Sequence, residues 1–401
     1  MEKLEVRSFS ELRILIIHPH IFPGGAEKVI VNLASQLSRR GHKVALATLS
    51  VSGDFSNKLK NVELWMPSRG PYNPADVTKT SDALRISLRE TASLHGIVKE
   101  IYNDYDLINP CNFPSYWSIY GILDPPCVWY SSEVFAPVDE SEDLYERNPF
   151  FRISYNIALH LDKYIVNRYI KGIITLSEWN ARQIKARYGR TSIVVHSGID
   201  YQYYSRRMKD AKEILGLAGK FVLLHVGKLV KRKNHILTLR ILRRIRKTIP
   251  EVFLIIVGSG PYRSRLIDYS KIFGVSDIFK IFDRVNEETL RTIYYASDVC
   301  LYPVYNQSFG VVPLEAMVCG VPSIVSSDSG VGEIMRDNGI EYVVDPTDEE
   351  TIIRLIIQIY RDPSKAKDMA KRGKEYVKRN LTWKKVAYEY EKALKRYFCE
   401  K

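Results

Sequence analysis

The stretch Gln307–Pro322 combines residue types that suit the recognition of phosphate and hydroxyl groups. Ser308–Gly310 predicts a short loop, and a helix is expected from near Pro313 to Gly320, because proline favours a first helical turn and glycine before proline ends one. A loop that enters a helix presents free backbone N–H groups and a positive dipole end, which attract phosphate. Glu315 adds a carboxylate that can accept hydrogen bonds from hydroxyls. Phosphate and hydroxyls recognised side by side indicate a nucleotide-sugar.

Two adjacent glycines, Gly24 and Gly25, follow the predicted strand Leu12–Ile17 and precede a predicted helix. Glycine lets the backbone approach a ligand closely, and a helix start favours an anion. A tight turn that needs positive φ would account for the pair equally well.

A basic cluster follows the predicted strand Phe221–Val226 and contains Lys228 and Lys233. Ligands of doubly wound sheets bind beyond the carboxyl ends of the strands. The two cations could therefore clamp a diphosphate and stabilise charge as it leaves a sugar. A solvated loop is the alternative interpretation.

The strands and helices that must position these residues are predicted from the pattern of apolar residues along the chain. Short β-branched runs alternate with longer amphipathic ones, which is typical of parallel sheets with crossover helices. Strands are expected at Leu12–Ile17, Lys43–Leu49, Asp106–Asn109, Cys127–Tyr130, Gly172–Leu176 and Ile193–Val195, and then at Phe221–Val226, Val252–Val257, Ile278–Phe282, Val299–Tyr302, Ser323–Ser326 and Tyr342–Val344. Helices are expected at Ala26–Arg40, Ile236–Thr248, Arg263–Phe273, Glu287–Ala296 and Glu349–Arg361.

The simplest fold with this pattern is an α/β protein of two doubly wound, Rossmann-like domains that face each other across a cleft. We expect a first domain at 1–200, a polar, tyrosine-rich linker at 201–219 and a second domain at 220–380. Residues 381–401 would form a C-terminal helix, Trp383–Phe398, that packs back on the first domain.

Composition is ordinary for a globular protein, with 45% hydrophobic and 26% charged residues. No apolar run approaches the roughly eighteen residues that cross a bilayer. The start, Met-Glu-Lys-Leu-Glu, lacks the order of a signal peptide, and the five cysteines show no paired or metal-like spacing. We therefore expect a cytoplasmic protein.

The net charge of +13 reflects basic residues that gather at 163–190, 231–247 and 365–396. Such charge can bind nucleic acid, adhere to an anionic membrane or solvate helix faces. No RNA-binding, zinc or helix-turn-helix motif accompanies it, so nucleic acid is not expected. Tyrosines interleave the first cluster, and aromatic residues beside cations suit a headgroup interface. Membrane contact, with the protein peripheral on the cytoplasmic face, is the favoured interpretation of the two specific uses.

Taken in order, these segments resemble the retaining family-4 glycosyltransferases (glycosyl transferases group 1). Gln307 and Glu315 stand at the two ends of that family's Glu-x7-Glu motif, so a neutral amide occupies the position of the first Glu. Lys228 and Lys233 occupy the arginine and lysine positions of its basic loop. The resemblance runs from residue 13 to about residue 395.

Other donor-site positions also match. Gly24 and Gly25 lie in the family's Gly-Gly-x-Glu loop, Gly258 in its Gly-x-Gly-Pro segment, and Arg284 and Val285 where the base is contacted through the backbone. Two strand ends, at 106–112 and 129–133, lack the cleft-facing histidine that relatives often carry there.

The resemblance implies a GT-B fold and the transfer of a hexose from a UDP- or GDP-linked nucleotide-sugar, with retention, to a glycan or lipid-linked acceptor. Lys228 and Lys233 would stabilise the departing diphosphate without a metal or other cofactor, Glu315 would bind the ribose diol and Gln307 would touch the donor sugar. Further donor contacts are implied for Ser308, Phe309, Gly310 and Val311.

Three other functions stay open at this point. Gln307 and the missing histidine would also fit a nucleotide-sugar-binding protein without transferase activity. An epimerase of the same fold would act on the nucleotide-sugar itself, but it needs acid and base groups that these motifs scarcely offer. Nucleic-acid binding is supported by charge alone.

Overall fold

The computed structural model describes residues 11–22, 24–67, 83–134, 149–283, 285–340 and 342–399. The chain divides into two compact units: unit 1 comprises Met1–His196 and Trp383–Lys401, and unit 2 comprises Ser197–Thr382. Within the described residues, no helix is both long and apolar enough to span a membrane.

Unit 1 is built on parallel strands, and most of their apolar residues are buried because helices cover the sheet. The strands are β1 (Arg13–Ile17), β2 (His20–Ile21), β3 (Lys43–Ala47), β4 (Ser50–Val51), β5 (Glu63–Trp65), β6 (Leu107–Pro110), β7 (Val128–Ser131), β8 (Gly172–Thr175) and β9 (Ile193–Val194). They form the orders β5-β3-β1-β6 and β7-β8-β9, while β2 pairs with β4. Parallel bridges from Ile108 to Cys127 and from Cys111 to Tyr130 join β6 to β7.

The helices of the first part of unit 1 are α1 (Gly25–Arg39), α2 (Ala83–Ile101), α3 (Pro149–Tyr169) and α4 (Glu178–Tyr188). Helix α1 buries Val29, Ile30 and Leu33 on one face. Helix α4 begins at a Ser177 cap that accepts from the Asn180 N–H and ends at Gly189, whose φ of 72° lies in the left-handed region that stops helices.

In the described residues of unit 2 the strands form one parallel sheet, in the order β12-β11-β10-β13-β14-β15. Its strands are β10 (Phe221–Val226), β11 (Val252–Val257), β12 (Phe279–Phe282), β13 (Val299–Tyr302), β14 (Ser323–Ser326) and β15 (Val343–Val344). Its helices are α5 (Tyr201–Tyr204), α6 (Ala211–Ile214), α7 (His235–Ile245), α8 (Arg263–Ile272), α9 (Glu287–Ala296), α10 (Val312–Val318), α11 (Gly330–Asp337), α12 (Glu349–Arg361) and α13 (Ser364–Asn380).

The predicted α/β class with two units of parallel sheet is confirmed, and the ends of the predicted strands and helices agree with the observed ones to within three residues. The segment 201–219, which we predicted as a linker, belongs to unit 2. Tyr204 is buried and donates to Glu287 at 3.1 Å, and the Lys212 ammonium lies 2.7 Å from Asp298. These side chains tie the segment to α9 and to the start of β13.

The final helix, α14 (Trp383–Cys399), packs on unit 1 against α1. Tyr390 donates to the Asn109 side chain at 2.7 Å, and Tyr397 donates to the Ile173 carbonyl at 3.0 Å. Glu391 accepts from Arg40. The chain therefore completes unit 1 only after it has traversed unit 2.

Candidate active site

Unit 2 gathers most of the candidate residues at the carboxyl edge of its sheet. Beyond β10 the chain runs through Gly227–Val230 into a 3-10 turn, Lys231–Lys233, and then into α7. Asn234 adopts a φ of 58°, which asparagine tolerates better than most residues. Its amide donates to the Pro303 and Pro346 carbonyls at 3.1 and 3.2 Å, so the basic loop is anchored to two neighbouring loops.

The Lys233 side chain is buried, with 8% of its surface exposed, and its ammonium donates to the Oε1 atom of Gln307. Arg232 donates to the same oxygen at 3.2 Å. The Lys233 ammonium also lies 5.4 Å from the centre of the Tyr302 ring, a favourable place for a cation. Lys228, the other predicted cation, is exposed on the loop before the turn.

Gln307 is held through its backbone as well as through its side chain. Its N–H donates to the Asp328 carbonyl at 3.1 Å, and its own carbonyl accepts from Gly330 at 3.0 Å. The loop between β14 and α11 therefore fixes Gln307 beside the basic turn. Sequence reasoning placed Gln307 and Lys233 in one site, and the structure brings them into direct contact.

Ser308, Phe309 and Gly310 lead into α10, and Val311 is its N-terminal flanking residue. Gly310 has a φ of 114°, and a Cβ there would lie 2.9 Å from both Tyr302 and Val331, so glycine is required. Helix α10 contains seven residues. The dipole that we expected at its start is therefore that of two turns, and it supplies less charge than a long helix would.

Glu315 is buried on α10, with 7% of its surface exposed. Tyr294 of α9 donates to its Oε2 atom at 2.8 Å. Burial, and next the Glu315 charge, raise the pKa of Tyr294 well above its ordinary value, and the same two causes raise the pKa of Tyr204. The carboxylate is thus fixed by buried phenols, which no local sequence pattern indicated.

Gly258 lies where three strand ends meet. Its φ is 153°, and a Cβ would lie 2.0 Å from the Gly227 carbonyl oxygen. Its N–H donates to the Phe282 carbonyl at 2.8 Å. The turn after β11 therefore packs directly on the basic loop after β10. Val285 is half-buried beyond β12, whereas Arg284 lies outside the described residues.

Two histidines that we did not single out lie directly beneath the basic turn. The rings of His225 and His235 stack with centroids 4.0 Å apart, and both side chains are almost fully buried. The Nδ1 atom of His225 lies 2.8 Å from the Thr238 hydroxyl. Burial, and next the charges of neighbouring groups that include Lys233, lower the pKa of both rings, that of His235 to about 3. A neutral aromatic pair therefore supports the charged turn.

Gly24 and Gly25 belong to unit 1, where Gly24 caps α1 with an extended φ of −164°. Neighbouring His18 has its Nδ1 atom 2.9 Å from the Cys111 carbonyl and its Nε2 atom 3.9 Å from Glu27. His20 lies between the Ser50 hydroxyl at 2.7 Å and Glu90 at 3.0 Å. Both histidines thus have polar neighbours within unit 1.

No group of three or more metal-ligating side chains was found in the described part of the chain. The Asp-x-Asp triplet Asp104–Asp106 precedes β6, at the amino edge of the sheet of unit 1. There Asp106 accepts from the Arg13 backbone at 2.8 Å. This triplet is therefore held by a structural contact, away from the strand ends that carry the candidate residues.

Two family models match the chain in succession: Glycosyltransferase Family 4 over residues 23–203 and Glycosyl transferases group 1 over residues 208–376. A D-inositol 3-phosphate glycosyltransferase of Geodermatophilus obscurus is 30% identical over 369 residues, which are 83% of this chain and 78% of that protein. The GDP-mannose-dependent alpha-(1-6)-phosphatidylinositol monomannoside mannosyltransferase of Mycolicibacterium smegmatis is 29% identical over 222 residues, 52% of this chain and 58% of that protein. The chain thus spans little more than half of that relative's length.

Solved structures share the fold at low sequence identity. Sucrose-phosphate synthase from Thermosynechococcus elongatus matches with a TM-score of 0.79 and 19% identity, covering 97% of this chain and all of the other. Anabaena HepE in complex with UDP-glucose matches with a TM-score of 0.76 and 18% identity, over 96% of this chain and all of the other. With two α/β units, a basic loop fixed to Gln307 and homology along most of its length, the chain belongs to the family-4, group 1 glycosyltransferases and has their GT-B fold.

Proposed function

We propose that this protein is a retaining hexosyltransferase that uses a UDP- or GDP-linked sugar and a glycan or lipid-linked acceptor. The observation that carries the proposal is the convergence of Lys233 and Arg232 on the Gln307 amide oxygen, at the sheet edge where unit 2 also buries Glu315. Cations for a diphosphate and a carboxylate for hydroxyls are the groups that a nucleotide-sugar requires.

The neutral side chain at position 307 has a definite electrostatic effect in this proposal. An amide oxygen accepts the Lys233 hydrogen bond without cancelling the charge of the lysine, whereas a carboxylate there would form an ion pair. Lys233 would therefore offer its charge to the departing diphosphate, with Lys228 as the second cation. Stabilisation of developing charge by fixed cations is among the larger contributions to catalysis.

The remaining groups would position the donor. Glu315, held by Tyr294, would accept from the ribose diol, while the Gln307 amide and the backbone of Ser308, Phe309, Gly310 and Val311 would contact the sugar. Gly258 and Val285 would lie near the nucleotide, and a contact of Gly24 and Gly25 with the donor stays a prediction from the resemblance. No metal is required if the cations carry out this role, and positioning of the acceptor oxygen would supply much of the rate.

The relatives support this choice of substrates. The mycobacterial relative is named for GDP-mannose, and Anabaena HepE was solved with UDP and with UDP-glucose. For this chain both nucleotides therefore stay within the proposal.

Release of UDP or GDP from a panel of nucleotide-sugars, with EDTA present, tests the proposal. We expect one donor to be turned over by the wild type and release to fall about 100-fold or more in Glu315→Ala, because a buried ligand-binding carboxylate is lost. Glu288→Ala, which removes an exposed carboxylate of α9, is the matched control and should behave as the wild type. Product anomers read by NMR would report retention.

The Gln307→Glu variant distinguishes a transferase from a nucleotide-sugar-binding protein without transferase activity. If the neutral Gln307 amide serves catalysis, a carboxylate at this position would form an ion pair with Lys233, and the variant should release nucleotide more slowly than the wild type. A wild type that binds the donor in calorimetry without turning it over, together with activity that appears in Gln307→Glu, would refute the transferase and leave a nucleotide-sugar-binding protein. An epimerised nucleotide-sugar as product would refute it as well.

A further inference from the structure

The outward face of α3 in unit 1 exposes a continuous apolar stripe. Ile153, Ile157, Leu161 and Tyr164 are 58%, 64%, 38% and 53% exposed. Their spacing of four, four and three residues places them on one side of the helix. Isolated exposed apolar residues are common on proteins, but four that are aligned along one helix form a patch that calls for a partner.

The only carboxylate of the same helix, Asp162, lies on its inward face. Asp162 is fully buried and accepts from Tyr116 at 2.5 Å, from Trp117 at 3.0 Å and from Tyr188 at 2.6 Å. Arg187 lies 3.4 Å from it as an ionic partner. Because this acid is committed to the core, the described outward face of α3 contributes no negative charge.

Positive charge flanks the stripe. Arg152, Lys163 and Arg168 are exposed on α3, and Lys171 follows the helix. Long basic side chains can lay their methylene stems along apolar surface while the charged ends reach outward. Positive charge therefore lies along one margin of the stripe, at Arg152 and Lys163, and near its carboxyl end, at Arg168 and Lys171.

Aromatic residues close one end of the stripe. Tyr120, 54% exposed, lies on the loop after the 3-10 turn Ser115–Trp117, and its ring centre is 5.4 Å from that of Tyr169. Tyr169 in turn lies 6.2 Å from Tyr164. Asp124, four residues beyond Tyr120, is an exposed acid of that loop. We call the set Ile153, Ile157, Leu161, Tyr164 and Tyr120 the α3 surface.

We propose that the α3 surface docks on an anionic lipid bilayer. Nucleic acid would use the cations but not a row of isoleucines, whereas a bilayer uses both. Isoleucine and leucine would enter the acyl boundary, tyrosines would lie at the headgroups, and Arg and Lys would meet lipid phosphates. Docking itself does not depend on transferase activity; that the acceptor is reached at this membrane rests on the proposed function.

Vesicle flotation of the full chain tests the docking. We expect the wild type to float with vesicles that mix phosphatidylcholine with phosphatidylglycerol at low salt. Flotation should be lost in about 1 M NaCl, where the Debye length falls to about 3 Å, and should be weak with phosphatidylcholine alone. The double variant Ile153→Ser and Ile157→Ser should bind about 10-fold less, because apolar insertion is lost while every charge is kept.

Ile272→Ser is the matched control, since Ile272 is 70% exposed on α8 of unit 2. It should float as the wild type does, and both variants should keep wild-type thermal unfolding because the replaced side chains are exposed. A wild type that fails to float at low salt would overturn the proposal. Equal flotation of the double variant and the wild type would also overturn it. If the double variant lost self-association on sedimentation with no change in flotation, the surface would instead bind a second copy of the chain.

Nucleotide release measured without vesicles tests the proposed transferase function independently of the proposed membrane docking. The double variant should release nucleotide at the wild-type rate, since the α3 surface lies outside the donor site. Normal release without flotation would refute the docking and leave the transferase intact. Flotation without release of any nucleotide would support the docking and refute the proposed donor chemistry.

Discussion

The two sheets order their main strands alike, yet their carboxyl edges carry different groups. In each unit the first long strand, β1 or β10, is central, with the next two to one side and the later ones to the other. At this edge unit 2 buries Lys233 against Gln307. Unit 1 instead places the His18 ring against the Cys111 carbonyl, and the Asn112 side chain accepts from the Ser132 N–H at 2.9 Å.

This difference shows that topology determines the place of a ligand site, whereas the loops determine its chemistry. Parallel winding determines where strand ends meet, and therefore where a ligand can bind. The residues that follow each strand determine which ligand is suited. A buried cation suits a diphosphate, whereas neutral donors and acceptors suit hydroxyl groups, so the two edges differ in the ligand chemistry that they suit.

Tryptophan offers a way to observe the units separately. All five tryptophans of the chain, Trp65, Trp117, Trp129, Trp179 and Trp383, belong to unit 1. Tryptophan fluorescence in urea therefore follows unit 1, while circular dichroism follows both units. A variant that affects unit 2 alone should shift the second signal and leave the first unchanged.

The largest effect is expected from Lys233→Ala. Loss of a fixed cation at the site of developing charge should lower kcat for nucleotide release about 100- to 1,000-fold, as with other such groups. Lys231→Ala, in the same turn but exposed, is the control and should retain nearly full activity. If both variants behaved alike, the contrast between the two sheet edges would have no catalytic meaning.

The glycine turns provide the next test. Gly258→Ala would place a Cβ 2.0 Å from a backbone oxygen at positive φ, so unit 2 should lose about 2–4 kcal/mol in its free energy of unfolding. In Gly24→Ala the added Cβ would meet the carboxyl group of Glu27, the far end of a flexible side chain, and the change should cost unit 1 less than about 1 kcal/mol. Equal shifts of the fluorescence and dichroism transitions would contradict this asymmetry.

Acid should weaken unit 2 through its buried histidines. Burial lowers the folded pKa of His235 to about 3 and also lowers that of His225 well below its ordinary value, so below pH about 6.5 the unfolded chain takes up protons that the folded unit does not. Stability is therefore lost as the pH falls from about 6.5 towards 3, by about 1.4 kcal/mol per pH unit for each ring.

His235→Phe keeps the ring stack and removes one of the two titrations. Its dichroism-monitored stability should depend on pH less steeply than that of the wild type, by about 1.4 kcal/mol per pH unit between pH 5 and 6. Identical slopes would show that His235 takes up its proton in the folded unit as readily as in the unfolded chain. Comparison with His20→Phe, in unit 1, would confine the effect to unit 2.

Local patterns predicted the strands of unit 2 well because a strand buried on both faces reads as one continuous apolar run. Phe221–Val226 and Val252–Val257 have the expected ends. The same reasoning assigned 201–219 to a linker, since short helices of one turn carry no periodicity. The contact of Tyr204 with Glu287 spans 83 residues and leaves no local trace.

The candidate site likewise includes contacts that the sequence predicted and contacts that it did not. The order of glycines and cations after successive strands predicted which loops would meet, and Lys233 does contact Gln307. The Tyr294 bond to Glu315 and the stacked rings of His225 and His235 depend on how helices pack on the sheet. Such packing arises from tertiary structure, which spacing along one segment does not encode.

The placement of α14 constrains how the protein can be made and divided. As the ribosome proceeds from the amino end, unit 1 cannot close until α14 emerges, so the whole of Ser197–Thr382 is synthesised while the Asn109 and Ile173 contacts still lack Tyr390 and Tyr397. A chain truncated at Thr382 would keep every residue of unit 2 yet leave unit 1 incomplete. A circular permutant that begins at Trp383 and joins the end of α14 to the segment before β1 would instead make unit 1 contiguous.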